Sequence, residues 1–310
     1  MLNRSLLRTK VLRSLYAHTT SETRGANFTL NEYKKSVEMC YDLHLFLLEL
    51  LGEVVYYARE RQKIASEKLR PTPEELNPKT RFVDNPIIES LKHNEGLQAR
   101  LAQGGLSWGN HEEVIREMYN QIINAPFYAS YVDGAGKDRE FIIRVLTQLF
   151  DDNEVLENAI EDISILWADD FGYGLCQAVN FINESKENTL YNEFNSPEDQ
   201  KFGEDLLLHA IAHREEYLEL IDSLSDNWEL ERIAHMDSMV LVVAISELVS
   251  CPTIPTKVTL NEFIEISKYY STSTSYNFIN GVLHKAIEKL KGENKIRKTG
   301  RGLMGETPSK

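Results

Sequence analysis

The chain has 310 residues, 42% of them hydrophobic and 26% charged, a length that suggests two domains or one large one. Nine prolines and 16 glycines are too few for extended low-complexity disorder or a turn-dense all-β fold. The net charge of −14 argues against nucleic acid, yet it hides a polarity: residues 1–24 and residues 291–310 each carry +4, which leaves −22 between them.

Cys40, Cys176 and Cys251 are scattered and form neither a disulfide framework nor a Cys-x-x-Cys zinc pair, which fits a reducing, cytoplasmic compartment. Leu43–Tyr57 is the longest apolar stretch. Glu49 and Glu53 interrupt it, and it is too short to span a bilayer, so no membrane association is expected.

Leu7, Val11 and Leu15 recur at i, i+4 and i+8, which predicts a helix over about 3–18. Leu12 and Tyr16 widen its apolar face, Arg13 points away from it and Lys10 lies on its flank. The lack of acid over residues 1–21 also resembles an organellar transit peptide, a reading that yields once the same residues are accounted for within a folded module. Thr29-Leu-Asn-Glu32 has capping-box spacing and predicts the start of a long helix to about Lys68. Its apolar residues are dense from Val37 to Tyr57, so it should pack on more than one side. Arg70-Pro-Thr-Pro-Glu74 is a punctuated linker, with Thr72 and Glu75 spaced to cap a short turn.

Residues 77–110 are broken into short pieces by prolines and glycines. A helix is predicted over 111–124, a turn at Asp133–Gly136, and helices at about 138–150, 152–168 and 173–184, before a polar loop over 183–195. Ser196-Pro-Glu-Asp199 combines an N-cap serine, a first-turn proline and acids, a strong helix start. Further helices follow at about 197–213, 214–225, 229–249, 257–270 and 275–290. Residues 293–310 lack apolar periodicity and are predicted to be a disordered basic tail. No period-2 run occurs, so the fold class is all-α. At an offset of 61, Phe141, Leu146, Glu154, Ile160, Ser164 and Trp167 match Phe202, Leu207, Glu215, Ile221, Ser225 and Trp228. A duplicated helical unit gives this pattern, and so does chance agreement between two amphipathic helix pairs.

The chemistry-bearing residues form no catalytic constellation. His209 and His213 have the spacing of two zinc ligands on a helix, but Ala210 stands where a metalloprotease needs its glutamate, and no third ligand is evident. Glu215-Glu216, Asp151-Asp152 and Asp169-Asp170 lack the repeated Glu-x-x-His of a di-metal bundle and fit solvated helix faces. No phosphate loop or Gly-x-Ser-x-Gly elbow occurs. No catalytic residue, metal site or cofactor is predicted.

Two separated segments resemble the NusB family. Asn3-Arg-Ser-Leu-Leu-Arg8-Thr-Lys-Val-Leu-Arg-Ser-Leu15-Tyr16 is similar to the family's opening helix, a basic cluster leading to an apolar run that ends in Leu-Tyr. Between Phe202 and Leu290 five motifs follow in family order. They are Asp226-Asn-Trp-Glu-Leu-Glu-Arg-Ile233, the apolar Leu241–Leu248, Ile254-Pro-Thr-Lys-Val-Thr-Leu-Asn-Glu262, Glu265-Ile-Ser-Lys-Tyr-Tyr-Ser271, and Ser275-Tyr-Asn-Phe-Ile-Asn-Gly-Val-Leu283. The resemblance covers about 110 of the 310 residues. Thr274 and His284 depart from residues common in relatives.

The resemblance implies NusB-like helical bundles with an extra α-helical region between the first helix and the C-terminal core. The division it suggests is residues 1–24 as a basic first helix, 25–195 as additional helical material, 196–292 as the NusB-like core and 293–310 as the tail. It implies a non-enzymatic antitermination factor in ribosomal RNA transcription. Its partners would be single-stranded boxA-like RNA, a NusE-type small-subunit ribosomal protein and the transcription elongation complex. By position, Arg4, Arg8, Lys10, Arg13 and Tyr16 would meet RNA from the first helix, and Ser275, Tyr276 and Asn277 from the last. Arginine and lysine neutralise phosphates, and unpaired bases stack on rings such as tyrosine. Tyr16 and Phe278 also fit core positions, Arg8 also fits an ion pair with the acidic body, and Asn280 and Gly281 fit close helix packing. A protein–protein scaffold that has lost RNA binding is the alternative, favoured by the acidic middle. An RNA-modifying enzyme would need a βαβ unit with a glycine-rich turn, which residues 25–195 lack.

Overall fold

Where apolar residues recur at helical spacing the chain is helical, and no β-strand forms among the described residues. The computed structural model describes residues 2–21, 25–184, 197–225, 233–272 and 275–305. In chain order the helices are α1 (Arg4–Thr19), α2 (Ala26–Ser66), α3 (Pro73–Leu76), α4 (Pro86–Lys92), α5 (Glu95–Gly104), α6 (Glu112–Asn124), α7 (Tyr128–Val132) and α8 (Asp138–Val145). Then come α9 (Glu154–Ile163), α10 (Phe171–Glu184), α11 (Pro197–Ala212), α12 (Arg214–Leu224), α13 (His235–Ser250), α14 (Thr256–Tyr270) and α15 (Ser275–Gly292). Ser196, the segment 226–232 with Trp228, Thr274 and residues 306–310 lie outside the described residues.

The chain divides into two compact units: unit one (Glu38–Glu193) and unit two (Leu2–Val37 with Phe194–Lys310). The division therefore falls inside the continuous helix α2. Charge divides the same way. Residues 38–193 hold 28 acidic and 14 basic side chains, so the whole net charge of −14 belongs to unit one, whereas unit two has 20 of each.

The spacing at Thr29 and Glu32 does not start α2. The helix begins at Ala26, and Thr29 is buried inside it, with Oγ1 2.8 Å from Nδ1 of His18 in α1. Tertiary contact with α1 overrides the local cap signal. The second capping box does form: Thr72 Oγ1 accepts from the Glu75 amide and Glu75 accepts from the Thr72 amide, at the start of α3. Predicted helix 138–150 is α8 continued by a single π-helical turn, Leu146–Phe150. The offset of 61 also relates element ends, since Ser164 closes α9 and Ser225 closes α12.

In unit one, α2 is buried from Leu43 to Val54 except along a narrow strip of Glu49, Gly52 and Glu53, so it packs on several sides at once. Trp108 stacks on Phe46 with ring centres 4.2 Å apart, and its indole donates to the Phe46 carbonyl. Trp167 donates to the Met39 carbonyl. Asp42 pairs with Arg100 at 2.6 Å, and burial still holds its carboxyl above the usual range.

His44, buried between Tyr41 and Phe181, has an Nδ1 with no hydrogen-bond partner, and burial pushes its pKa down to about 4, against a smaller upward pull from a backbone bond with Tyr41. The unfolded chain therefore takes up this proton first, near the ordinary value of about 6.5. Its contribution to stability is complete above that pH and is lost as pH falls toward 4, about 3 kcal/mol in all. Wild-type chain should lose this much more stability than His44→Leu between pH 7 and pH 4. Urea unfolding read by the fluorescence of Trp108 and Trp167 checks it, and equal losses would refute it.

In unit two, α13 is the hub. Met239–Ile245 are buried on all sides, with α1, α11, α12, α14 and α15 packed around them. The connections 251–255 and 271–274 are short, so α13 and α14 run antiparallel, as do α14 and α15, which leaves α15 parallel to α13. Gly203 of α11 receives the ring of Tyr33; a Cβ at Gly203 would lie 1.8 Å from the phenol oxygen. Gly281, by contrast, faces open space, so the packing role suggested for it does not hold.

Residues 293–305 are ordered, which corrects the tail expectation over that span. Ile296 is buried, and Lys298 Nζ donates to the carbonyls of Leu248 and Cys251 at 2.9 and 3.0 Å, satisfying orphan acceptors at the end of α13. The Thr299 amide donates to the Pro252 carbonyl, and Gly302 sits so close that a Cβ would lie 2.0 Å from the same oxygen. Basic composition without periodicity reads as disorder only when these specific acceptors are invisible. Among the described residues no helix is long and apolar enough to cross a membrane.

Candidate nucleic-acid interface

α1 is capped by Asn3, whose side chain accepts from the Leu6 amide at 2.8 Å. Its apolar stripe of Leu7, Val11, Leu12 and Leu15 is fully buried. Between these residues lies Arg8, with its side chain 4% exposed, facing Glu247 of α13, which is 0% exposed. Nε and Nη2 of Arg8 donate to the two carboxylate oxygens at 2.6 and 2.9 Å, a bidentate pair. Nη1 reaches Glu262 of α14 at 3.2 Å, and the Thr259 hydroxyl donates to Glu247 at 2.7 Å. One guanidinium thus ties three helices together. Lys10 is buried as well. Neither side chain is presented to solvent. The apolar period correctly gave the inward face of α1, but it could not tell a cation that faces phosphate from one that answers a buried carboxylate.

Arg4 is part-exposed. It pairs with Asp199 at 2.6 Å, and its guanidinium lies 5.1 Å from the centre of the Phe202 ring, which Arg8 also approaches at 5.4 Å. Arg13 and Tyr16 are half-buried. The Tyr16 ring lies 5.2 Å from His235, the first residue of α13, and the Thr19 hydroxyl is 2.8 Å from His235 Nε2. Because Arg8 meets the end of α13 and Thr19 meets its start, α1 is antiparallel to α13. The start of α15 lies at that same end of the bundle.

Tyr16 therefore shares one end of unit two with Ser275, Tyr276 and Asn277, whereas Arg4 lies about 18 Å away along the helix, at 1.5 Å per residue. At the shared end Ser275 is buried and bonds Thr272, Tyr276 is 37% exposed and Asn277 is exposed. What this end offers to a ligand is the Tyr276 ring, the Asn277 amide, the accessible part of Tyr16 and the cation of Arg13. His235 and Thr19 were not singled out from the sequence, and Phe202 entered only through the offset of 61 and as the start of the NusB-like stretch. The contacts that bring them to α1 and α13 join residues distant in the chain.

The other candidate constellation is a stack. The His209 and His213 rings lie 4.4 Å apart over Tyr217, and His213 Nδ1 is 3.1 Å from Glu216. Burial, then the neighbouring His213, lowers the His209 pKa. Among the described residues no group of three or more His, Cys, Asp or Glu side chains is arranged to hold a metal ion.

Residues 175–288 match the model of the NusB family. A transcription antitermination protein NusB of Salinibacter ruber is 40% identical over 109 residues, 35% of this chain and 68% of that protein. Proteins of the same name from Chloroherpeton thalassium and Desulfitobacterium hafniense are 42% and 39% identical over 86 and 100 residues. Those stretches are 28% and 32% of this chain, and 40% and 68% of the respective proteins. No solved structure matches. The matched span runs from α10 through α15 and includes the hub helix, its buried Glu247 and the solvent-facing Tyr276 and Asn277. With two thirds of a relative covered at 40% identity, the chain belongs to the NusB family.

Proposed function

We propose that this chain, a non-enzymatic NusB-family factor, supports transcription antitermination during ribosomal RNA synthesis in the cytoplasm. It would act on single-stranded boxA-like RNA together with a NusE-type small-subunit ribosomal protein, in association with the transcription elongation complex. The observation that favours the RNA contact is the placement of Tyr16 beside His235 at the start of α13, the end of unit two at which α15 also begins and where the Tyr276 ring and the Asn277 amide are exposed. Exposed aromatic rings beside a cation suit unpaired bases. Arg4 and Arg13 supply the phosphate contacts, and Arg8 and Lys10 support the helix that carries them.

The test is fluorescence anisotropy of labelled boxA-type RNA across a salt series, with and without the ribosomal protein. Arg13→Glu with Tyr276→Ala should weaken binding about tenfold and flatten the log–log salt slope by about 0.7, the share of one phosphate contact. Unchanged affinity in that variant would remove the assignment of this face. The scaffold reading is favoured by one observation, the concentration of all net negative charge in unit one. There a cleft of about 210 Å³ is lined by Asp151, Asp152, Glu157, Glu161 and Asp169. Burial and then these neighbouring carboxylates raise the Glu157 pKa. Capture of the basic ribosomal protein with no RNA affinity at low salt would decide for the scaffold.

A further inference from the structure

Unit one also holds a cleft of the opposite character. It has a volume of about 240 Å³ and is walled by Phe127, Tyr131 and Phe141, with Ser130, Lys137 and Arg144 at its edge. Glu140 supplies the single carboxylate among its lining residues, and it shares no residue with the acidic cleft.

The wall is built rigidly. Phe141 stacks on Tyr131 at 3.8 Å and 12°, and Phe127 meets Phe141 edge-on at 5.7 Å. Arg81 lies 4.3 Å over the Tyr131 ring and donates to the carbonyls of Tyr131, Ala135 and Gly136, which pins the loop beside the cleft. The Tyr131 hydroxyl is held between Asn85 and Asp138. The cations at the mouth are less committed. The Lys137 side chain is 83% exposed and meets Glu140 at 3.8 Å, whereas the exposed Arg144 lies 5.8 Å from the Phe127 ring centre.

A second aromatic group adjoins it. Burial, and then the nearby Tyr119, pushes the pKa of Tyr128, next to Phe127, up to about 12. Tyr119 meets Tyr57 edge-on at 5.2 Å, and the Arg61 guanidinium lies 5.7 and 5.8 Å from the two ring centres. Neither Arg61 nor Arg144 forms an ion pair among the described residues. Arg61 donates to the Tyr57 hydroxyl at 3.3 Å, so its charge is held beside the rings without a carboxylate partner. Rings interleaved with such cations are what single-stranded nucleic acid requires, because bases stack on the rings and phosphates pair with the cations. An acidic peptide would use the cations and leave the rings idle.

We infer that this cleft is a second RNA site, in which one unpaired base lies against Phe127 and its phosphate between Lys137 and Arg144, with neighbouring nucleotides on the Tyr57–Arg61–Tyr119 platform. It gives the added region a role that family membership does not assign, and it rests on the reading of the chain as an RNA binder.

The test compares Lys137→Glu with Arg144→Glu, in the full chain, against wild type and against the Arg13→Glu, Tyr276→Ala variant. The probe is a labelled 12-nucleotide oligouridylate carrying 5-iodouridine. Both substituted side chains in unit one are exposed, so Trp fluorescence should confirm an intact fold. Loss of this phosphate contact should weaken binding about tenfold at low salt and flatten the salt slope by about 0.7. It should also abolish ultraviolet crosslinking to the peptide containing Phe127 and Phe141. Unchanged affinity and slope, with no crosslink on that peptide in wild type, would overturn the inference. If only the Arg13, Tyr276 variant loses affinity, the cleft fails and the unit-two face stands. If only the cleft variant loses it, that face fails and the cleft stands. A wild-type chain that binds no RNA overturns both.

Discussion

Glu247→Ala should destabilise unit two by about 3–5 kcal/mol, the cost of leaving a buried guanidinium without its counter-charge. The geometry predicts the upper part of that range. Both Glu247 oxygens are engaged by Arg8, one of them also by Thr259, and neither charged side chain reaches water. Removal orphans two donors on Arg8 and one hydroxyl at once, while the 3.2 Å contact with Glu262 replaces little of what is lost. Arg8→Ala should cost a similar amount by leaving the carboxylate unpaired. Arg8→Met with Glu247→Leu should recover most of the loss, since apolar replacement of a whole buried pair is often neutral or better. Urea unfolding followed by circular dichroism at 222 nm measures each step. A single-variant loss below about 1 kcal/mol would show that the pair is hydrated in solution. Arg8→Glu would set two carboxylates against each other in the core, so weaker RNA binding by that variant would report unfolding and not a lost phosphate contact.

Gly203→Ala should cost about 1–3 kcal/mol, as overpacking in a filled core does. A Cβ there meets the Tyr33 phenol oxygen at 1.8 Å and its ring carbon at 2.8 Å. Tyr33 is buried and its hydroxyl has no hydrogen-bond partner. Burial, and then the nearby Glu204, pushes its pKa up, so the phenol stays neutral and cannot leave by ionising. Tyr33→Phe removes the unpartnered oxygen and should by itself be neutral or stabilising. In that background Gly203→Ala should cost less, though the ring carbon still crowds the site. A double-mutant cycle with additive effects would show that the helix shifts as a body and that the close approach is not specific.

Much of the secondary structure was legible in the sequence because apolar period and punctuation agree along most of the chain. Ser196-Pro-Glu-Asp199 and the following apolar spacing announce α11, and Thr72 with Glu75 announces α3. Three things were not legible, each for a physical reason. The capping box at Thr29 is a local preference that a side-chain bond to His18 outweighs. The boundary between the units lies within one continuous helix, where neither proline, glycine nor a change of composition marks it. The order of residues 293–305 depends on carbonyls of Leu248, Cys251 and Pro252, far away in sequence.

At the candidate interface the residue types were legible and their orientations were not. Glu247, a lone carboxylate in the apolar run Leu241–Leu248, was a signal of a buried partner. Only the structure pairs it with Arg8 and so takes Arg8 off the solvent-facing surface.

Arg8 and Glu247 are 239 residues apart. At a synthesis rate of about 5–20 residues per second, α1 leaves the ribosome roughly 12–48 seconds before the helix it pairs with exists. Throughout that interval Leu7, Val11, Leu12 and Leu15 have nothing from the hub to cover them, while every residue of unit one is made. The first helix of the nascent chain is therefore an apolar segment with its own cation, held in waiting. Its assembly depends on whatever shields such segments in the cell, and a pause in translation between residues 194 and 247 would lengthen that exposure.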